Sequence, residues 1–127
     1  MTAPLKSYRE LTVWRDGIAL VKACYLVIQT FPKDELFGLT SQIRRSAVSV
    51  PANVAEGYGR GTRKDYVRHL MIAQGSLKER ETHLIIAAEV GHTPQARVDP
   101  VLGQCDQLGR ALGALIRSLR ARDAAET

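Results

Sequence analysis

Apolar residues recur along this chain in four blocks, each stepping by alternating threes and fours, the period of one face of a helix. In the first block Leu11, Trp14, Ile18, Val21, Tyr25 and Ile28 form such a seam. Leu36, Leu39, Ile43, Ala47, Val50 and Val54 make the second, and Tyr66, Leu70, Ala73, Leu77, Leu84 with Ala87 or Ala88 the third. Val101, Cys105, Leu108, Leu112, Leu115 and Leu119 make the last. Breakers separate the blocks. Phe31-Pro32 closes the first, because the residue before a proline is pushed out of the helical region. Gly57, Gly59 and Gly61 close the second, Thr62 is a natural N-cap for the third, and Gly91 suits the position just past its end. Asp99 followed by Pro100 offers a start for the fourth. The pattern predicts helices over about 8–30, 36–58, 62–91 and 96–121, with frayed ends that include Asp123 to Thr127. Four helices with short connections make an all-α, antiparallel up-down-up-down four-helix bundle in one domain, residues 1–127.

Three interior positions strain this pattern. Gly17 and Gly75 lie mid-helix, where glycine costs roughly 1 kcal/mol relative to alanine unless a neighbouring helix approaches closely. Pro51 cannot donate to the carbonyl of Ala47, so the second helix must kink there or be held by its neighbours.

The second helix carries an ordered polar stripe as well. Gln42, Arg45, Ser49, Asn53, Glu56 and Arg60 recur at three- and four-residue steps, and all can hydrogen-bond. Two roles are open. Arg45, Asn53 and Glu56 with Gln42, Ser49, Ser76 and Glu79 can form a structural or interfacial network that fixes register. Arg44, Arg60, Arg63, Lys64 and Arg68, at or beyond its edges, can contact phosphates. Tyr58 and Tyr66 can stack on bases beside them or pack at the turn between the second and third helices. With 18 Lys and Arg against 13 Asp and Glu, the chain carries a formal charge of +5, which attracts nucleic acid, acidic proteins or anionic lipid without choosing among them.

Several chemistries find no support. Gly57-x-Gly59-x-Gly61 follows no strand and matches neither phosphate-loop spacing. A carboxylate di-iron site needs paired Glu-x-x-His motifs plus glutamates on the other two helices; Glu89-x-x-His92 occurs once, His69 stands alone, and the first and last helices offer no interior glutamate. Ser46, Ser49 and Ser76 have no histidine one helical turn away. No catalytic residue, metal or cofactor is therefore assigned. Cys24 and Cys105 read as small buried hydrophobes. The first ten residues lack the apolar core of a signal peptide, and Ile18 to Ile28 is too short to span a bilayer. The expectation is a cytoplasmic protein with no membrane contact.

A family resemblance rests on Tyr8 to Trp14, on Phe31-Pro32-x-x-Glu35 and on Leu39-Thr40-x-Gln42-x-Arg44-Arg45. Ser46-x-x-Ser49-x-Pro51-x-Asn53-x-Ala55-Glu56-Gly57 with Arg60, and Ala73-x-Gly75-Ser76-x-x-Glu79, extend it. The chain resembles the four-helix-bundle proteins encoded by intervening sequences in 23S ribosomal RNA genes, also called the S23 ribosomal protein family. The accessory variability protein of diversity-generating retroelements is a relative of that family. The resemblance covers residues 8 to about 92 closely and the last helix by pattern. It implies a left-handed bundle, a ring-shaped homopentamer and no enzymatic activity. The accessory protein's basic surface, which binds a reverse transcriptase and nucleic acid, implies RNA or DNA as partner, with a partner protein docked on the ring as the other expectation.

Overall fold

The computed structural model describes residues 7–126. A single-turn 3-10 helix, Tyr8–Glu10, precedes four α-helices: α1 Thr12–Ile28, α2 Leu39–Gly59, α3 Arg63–Glu89 and α4 Gln95–Glu126. A second 3-10 turn, Lys33–Glu35, lies between α1 and α2. Each helix packs against its two neighbours around the square, α1 on α2, α2 on α3, α3 on α4 and α4 on α1, and the diagonal pairs meet only through side chains in the core. This is the antiparallel up-down-up-down bundle.

The ends of the helices follow from local chemistry. Thr62 accepts the Asp65 backbone N–H at 3.2 Å and caps α3. Gly91, at φ +82°, turns the chain after α3, and the His92 N–H bonds back to the Ala87 carbonyl at 2.9 Å. At the start of α2, the Glu35 carboxylate accepts the Leu39 N–H at 3.3 Å. The expected fraying of Asp123 to Thr127 is corrected for Asp123 to Glu126, which are helical; Thr127 and the first six residues lie outside the described part.

The core runs through Leu20 and Cys24 of α1, Ile43, Ala47, Val50 and Val54 of α2, Leu70, Ala73, Leu77 and Leu84 of α3, and Val98, Cys105, Leu108 and Leu112 of α4. Each large apolar side chain so buried contributes about 1.5–3 kcal/mol. Two seams differ from the sequence pattern. In α1 the buried stripe is Val13, Gly17, Leu20, Cys24 and Val27; of the expected seam only Ile28 is buried, whereas Leu11, Trp14, Ile18 and Val21 are half-buried and Tyr25 is exposed. Both stripes are apolar with the same spacing, so periodicity cannot rank them. What ranks them is Pro51, whose ring faces α1: a Cβ at Gly17 would lie 3.2 Å from Pro51 Cβ, so the glycine must face inward. Gly17 and Pro51 thus fit each other, and α2 runs through the proline as one helix.

In α4 the inward residue near the end is Ile116, with Leu115 half-buried beside it. The helix starts at Gln95, beside the expected 96; the start offered by Asp99–Pro100 is not used, which leaves Pro100 inside the helix. The extra turn buries Val98 completely. That gain is of the order of the helix-interior proline's cost, about 3 kcal/mol.

Candidate functional site

The polar stripe of α2 divides at the α3 interface. Ser49 and Asn53 lie half-buried against α3. The Ser49 and Ser76 hydroxyls share a hydrogen bond at 2.8 Å, and Asn53 Nδ2 donates to the Ser49 carbonyl at 2.9 Å and to Ser49 Oγ at 3.0 Å. With its amide nitrogen thus committed, Asn53 Oδ1 accepts from His69 Nδ1 at 3.0 Å. Glu56 Oε2 stands 4.0 Å from the same ring nitrogen. Close approach of the helices permits this: a Cβ at Gly57 would sit 2.7 Å from His69 Cβ. The arrangement makes no nucleophile. Neither serine touches His69, and the amide between them relays no base strength to Ser49.

Of the seven residues expected in the network, Ser49, Asn53 and Ser76 are joined and Glu56 stands at its rim. Gln42, Arg45 and Glu79 are exposed, and their side chains make no hydrogen bond or ion pair among the described residues. His69, buried and read from the sequence as standing alone, completes it. The signal for it was its position on α3, one residue before the seam residue Leu70, facing α2.

The basic candidates scatter in environment. Arg44 lies over the Tyr25 ring at 5.7 Å, on the α1–α2 side. Arg60 pairs with Glu56 at 3.2 Å across one exposed helical turn. Arg63 reaches Asp123 at 3.4 Å and Glu126 at 2.5 Å, so it tethers the last turn of α4 and holds the Glu126 carboxyl below its usual range. Lys64 and Arg68 are exposed with no carboxylate partner among the described residues. They belong to an exposed stripe of α3, Lys64, Arg68, Met71, Gly75 and Lys78; α4 carries a second stripe, Gly109, Gly113, Arg117 and Arg120, and the two meet at a groove lined by Met71, Gly75, Lys78 and Gly109. Arg120 Nη2 donates to Met71 Sδ at 3.2 Å, which brings the two stripes together. Arg117, one turn before Arg120, lies against Gly113 on the same side of α4. Tyr58 and Tyr66 pack edge to face with centroids 6.0 Å apart.

One residue escaped the sequence pattern altogether. Arg80 is fully buried; its three side-chain nitrogens find no oxygen or nitrogen partner among the described residues, and the group they interact with is the Cys105 thiol. It completes the α3 seam Leu70, Ala73, Leu77, Arg80, Leu84, Ala87, where the spacing demanded a buried side chain and the residue type argued against one. Around it lie the two thiols. Burial pushes Cys24 up to about 12 and raises Cys105 as well, with the Arg80 guanidinium opposing the shift in both. Among the described residues no group of three or more His, Cys, Asp or Glu side chains is disposed to hold a metal, and no helix is long and apolar enough to cross a membrane.

The fold and the polar α2–α3 seam define a four-helix-bundle protein. Residues 9–114 match the family described as 23S rRNA-intervening sequence protein, and the chain belongs to that family. A crystal structure at 1.70 Å resolution of a protein of unknown function from the S23 ribosomal protein family of Bacteroides thetaiotaomicron is similar in fold. Its TM-score is 0.70 at 19% identity, over 83% of this chain and 98% of that one. No curated protein matches the sequence.

Proposed function

We propose that this protein is a non-catalytic, cytoplasmic RNA-binding module whose contact surface is the cationic face shared by α3 and α4. The observation that carries the reading is that Lys64 and Arg68 of α3 and Arg117 and Arg120 of α4 are all exposed, with no carboxylate partner among the described residues, and that Arg120 reaches Met71 on α3. Unpaired guanidinium and ammonium groups at such spacing release counterions from a phosphate backbone without reading its bases. Arg60 adds to this end of the bundle, and Arg44 lies apart from it. Arg63, held by two carboxylates, contributes least. The net charge of +5 supports the same partner class.

Fluorescence anisotropy of a labelled structured RNA across a salt series tests the proposal. Binding should weaken steeply with salt, and each cation removed by Lys64→Glu, Arg68→Glu or Arg120→Glu should lower the salt slope by about 0.7–0.9. No binding at low ionic strength would overturn it.

A second reading has its own observation. Phe37 is 93% exposed and Leu26 59%, with Leu36, Val48, Ile72, Ile85, Ile86 and Val90 also at the surface. Apolar exposure of this extent supports a homo-oligomeric scaffold, the five-membered ring that the resemblance implies, on which a partner protein would dock. Light scattering separates the readings: Phe37→Asp should reduce the mass of the assembly while leaving the fold intact, and a wild-type monomer at micromolar concentration would remove the scaffold.

A further inference from the structure

Between α3 and α4 runs a groove of about 510 Å³, floored by Met71, Gly75, Leu77 and Gly109 and rimmed by Lys78 and Arg110. Its floor is bare because glycines stand where side chains would otherwise close it. Gly75 is the telling one. At Gly17 and Gly57 the neighbouring helix leaves no room for a side chain, but a Cβ at Gly75 would meet nothing within 4 Å. The close approach expected at Gly75 from the sequence is therefore absent within this chain, and packing inside the bundle does not explain a glycine that costs helix stability. Met71, 48% exposed, adds a flexible, polarizable surface of the kind that adapts to a partner's apolar side chains.

Charge is distributed unevenly along this groove. At one end Lys78 pairs with Glu81 at 3.1 Å, and Arg110 with Asp106 at 2.8 Å. At the other end, Arg117 and Arg120 have no carboxylate partner among the described residues; Arg120 is held against Met71 at the edge of the floor, and Arg117 lies against Gly113, beside Gln74. No aromatic residue lines the groove, so a nucleic-acid base has nothing to stack on there.

We propose that the α3–α4 groove docks an acidic amphipathic helix of a partner protein. The partner's apolar stripe lies over Met71, Gly75 and Gly109, and its carboxylates face Arg117 and Arg120. The bare glycine floor lets the partner backbone come close, and the unpaired guanidinium groups fix its direction. This site shares Arg117 and Arg120 with the RNA reading; Gly75→Leu separates the two, because it closes the apolar floor and leaves the cations in place.

The probe is a labelled peptide of about 18 residues, long enough to cover some 27 Å of groove as a helix, with leucines on one face and glutamates flanking them. Saturable binding to the full-length protein is expected. A peptide of the same composition with its leucines scattered, or with lysines for glutamates, should bind at least about tenfold more weakly. Gly75→Leu fills the floor at a position with open space, so the variant should melt no lower than wild type yet lose at least about tenfold in peptide affinity. Arg117→Glu with Arg120→Glu should weaken the peptide to a similar degree. Unchanged peptide binding by folded Gly75→Leu would overturn the proposal. So would a smaller solution mass for Gly75→Leu, which would make a second copy of this chain the occupant. Displacement of the peptide by oligouridine from wild type, together with loss of oligouridine binding in Gly75→Leu, would assign the groove to nucleic acid.

Discussion

Asn53 and His69 join α2 to α3 through one hydrogen bond of 3.0 Å, from the ring Nδ1 to the amide oxygen. The pair is what the two serines beneath it lean on, since the same amide also bonds Ser49. It converts part of a polar helix face into a register mark for the closest helix pair of the bundle. Asn53→Ala should leave His69 Nδ1 without its acceptor and remove the Asn53 donor from Ser49, whose bond to Ser76 remains. We expect a loss of about 1–3 kcal/mol in urea unfolding, with Asn53→Asp losing less because a carboxylate still accepts from the ring.

Arg80 should be replaceable at a profit to stability. Its guanidinium is out of water with only a thiol, a weak acceptor, beside it, whereas leucine or methionine would continue the α3 seam. Exchanges of buried ionic groups for apolar ones gain roughly 1–4 kcal/mol. Arg80→Leu should accordingly raise both the urea midpoint and the melting temperature; a drop in either would mean that the charge has a partner in the assembled protein.

The thiols should be silent in the native state. Cys24 and Cys105 are inaccessible, and burial keeps both protonated well above neutral pH, Cys24 up to about 12. Ellman's reagent should therefore find no reactive thiol at neutral pH in the folded protein and two in denaturant.

At the other end of the bundle, His92 Nε2 donates to Glu35 Oε2 at 2.5 Å, and this bond, followed by the Leu39 N–H, holds the Glu35 carboxyl below its ordinary value of 4.5. A carboxyl whose folded pKa is depressed stabilises the fold above its unfolded pKa and loses that contribution as pH falls through the folded one. Glu35→Gln should therefore lower the melting temperature at neutral pH and remove the fall in stability that wild type shows below about pH 4.5 from this group. Equal acid profiles for the two proteins would contradict it.

The helices were legible because burial and periodicity are local properties. A heptad seam, a capping threonine and a turn glycine each act within a few residues, so the sequence alone determined four helices and the order in which they pack. It also marked Ser49, Asn53 and Ser76 for a polar network, but together with Gln42, Arg45, Glu56 and Glu79, which periodicity could not separate from them. Rotation of a helix about its own axis is different. In α1 two apolar stripes have the same spacing, and the choice between them belonged to the ring of Pro51 on another helix, which only Gly17 admits. Which polar residues meet is decided in the same way. Asn53 and His69 are 16 positions apart, and Arg63 lies 60 from Asp123. Only packing brings such groups within reach, and only packing strands Arg80 among thiols. The tertiary structure alone thus decided the inward face of α1, the membership of the polar network and the opening of the α3–α4 groove, because each depends on what the neighbouring helix leaves room for.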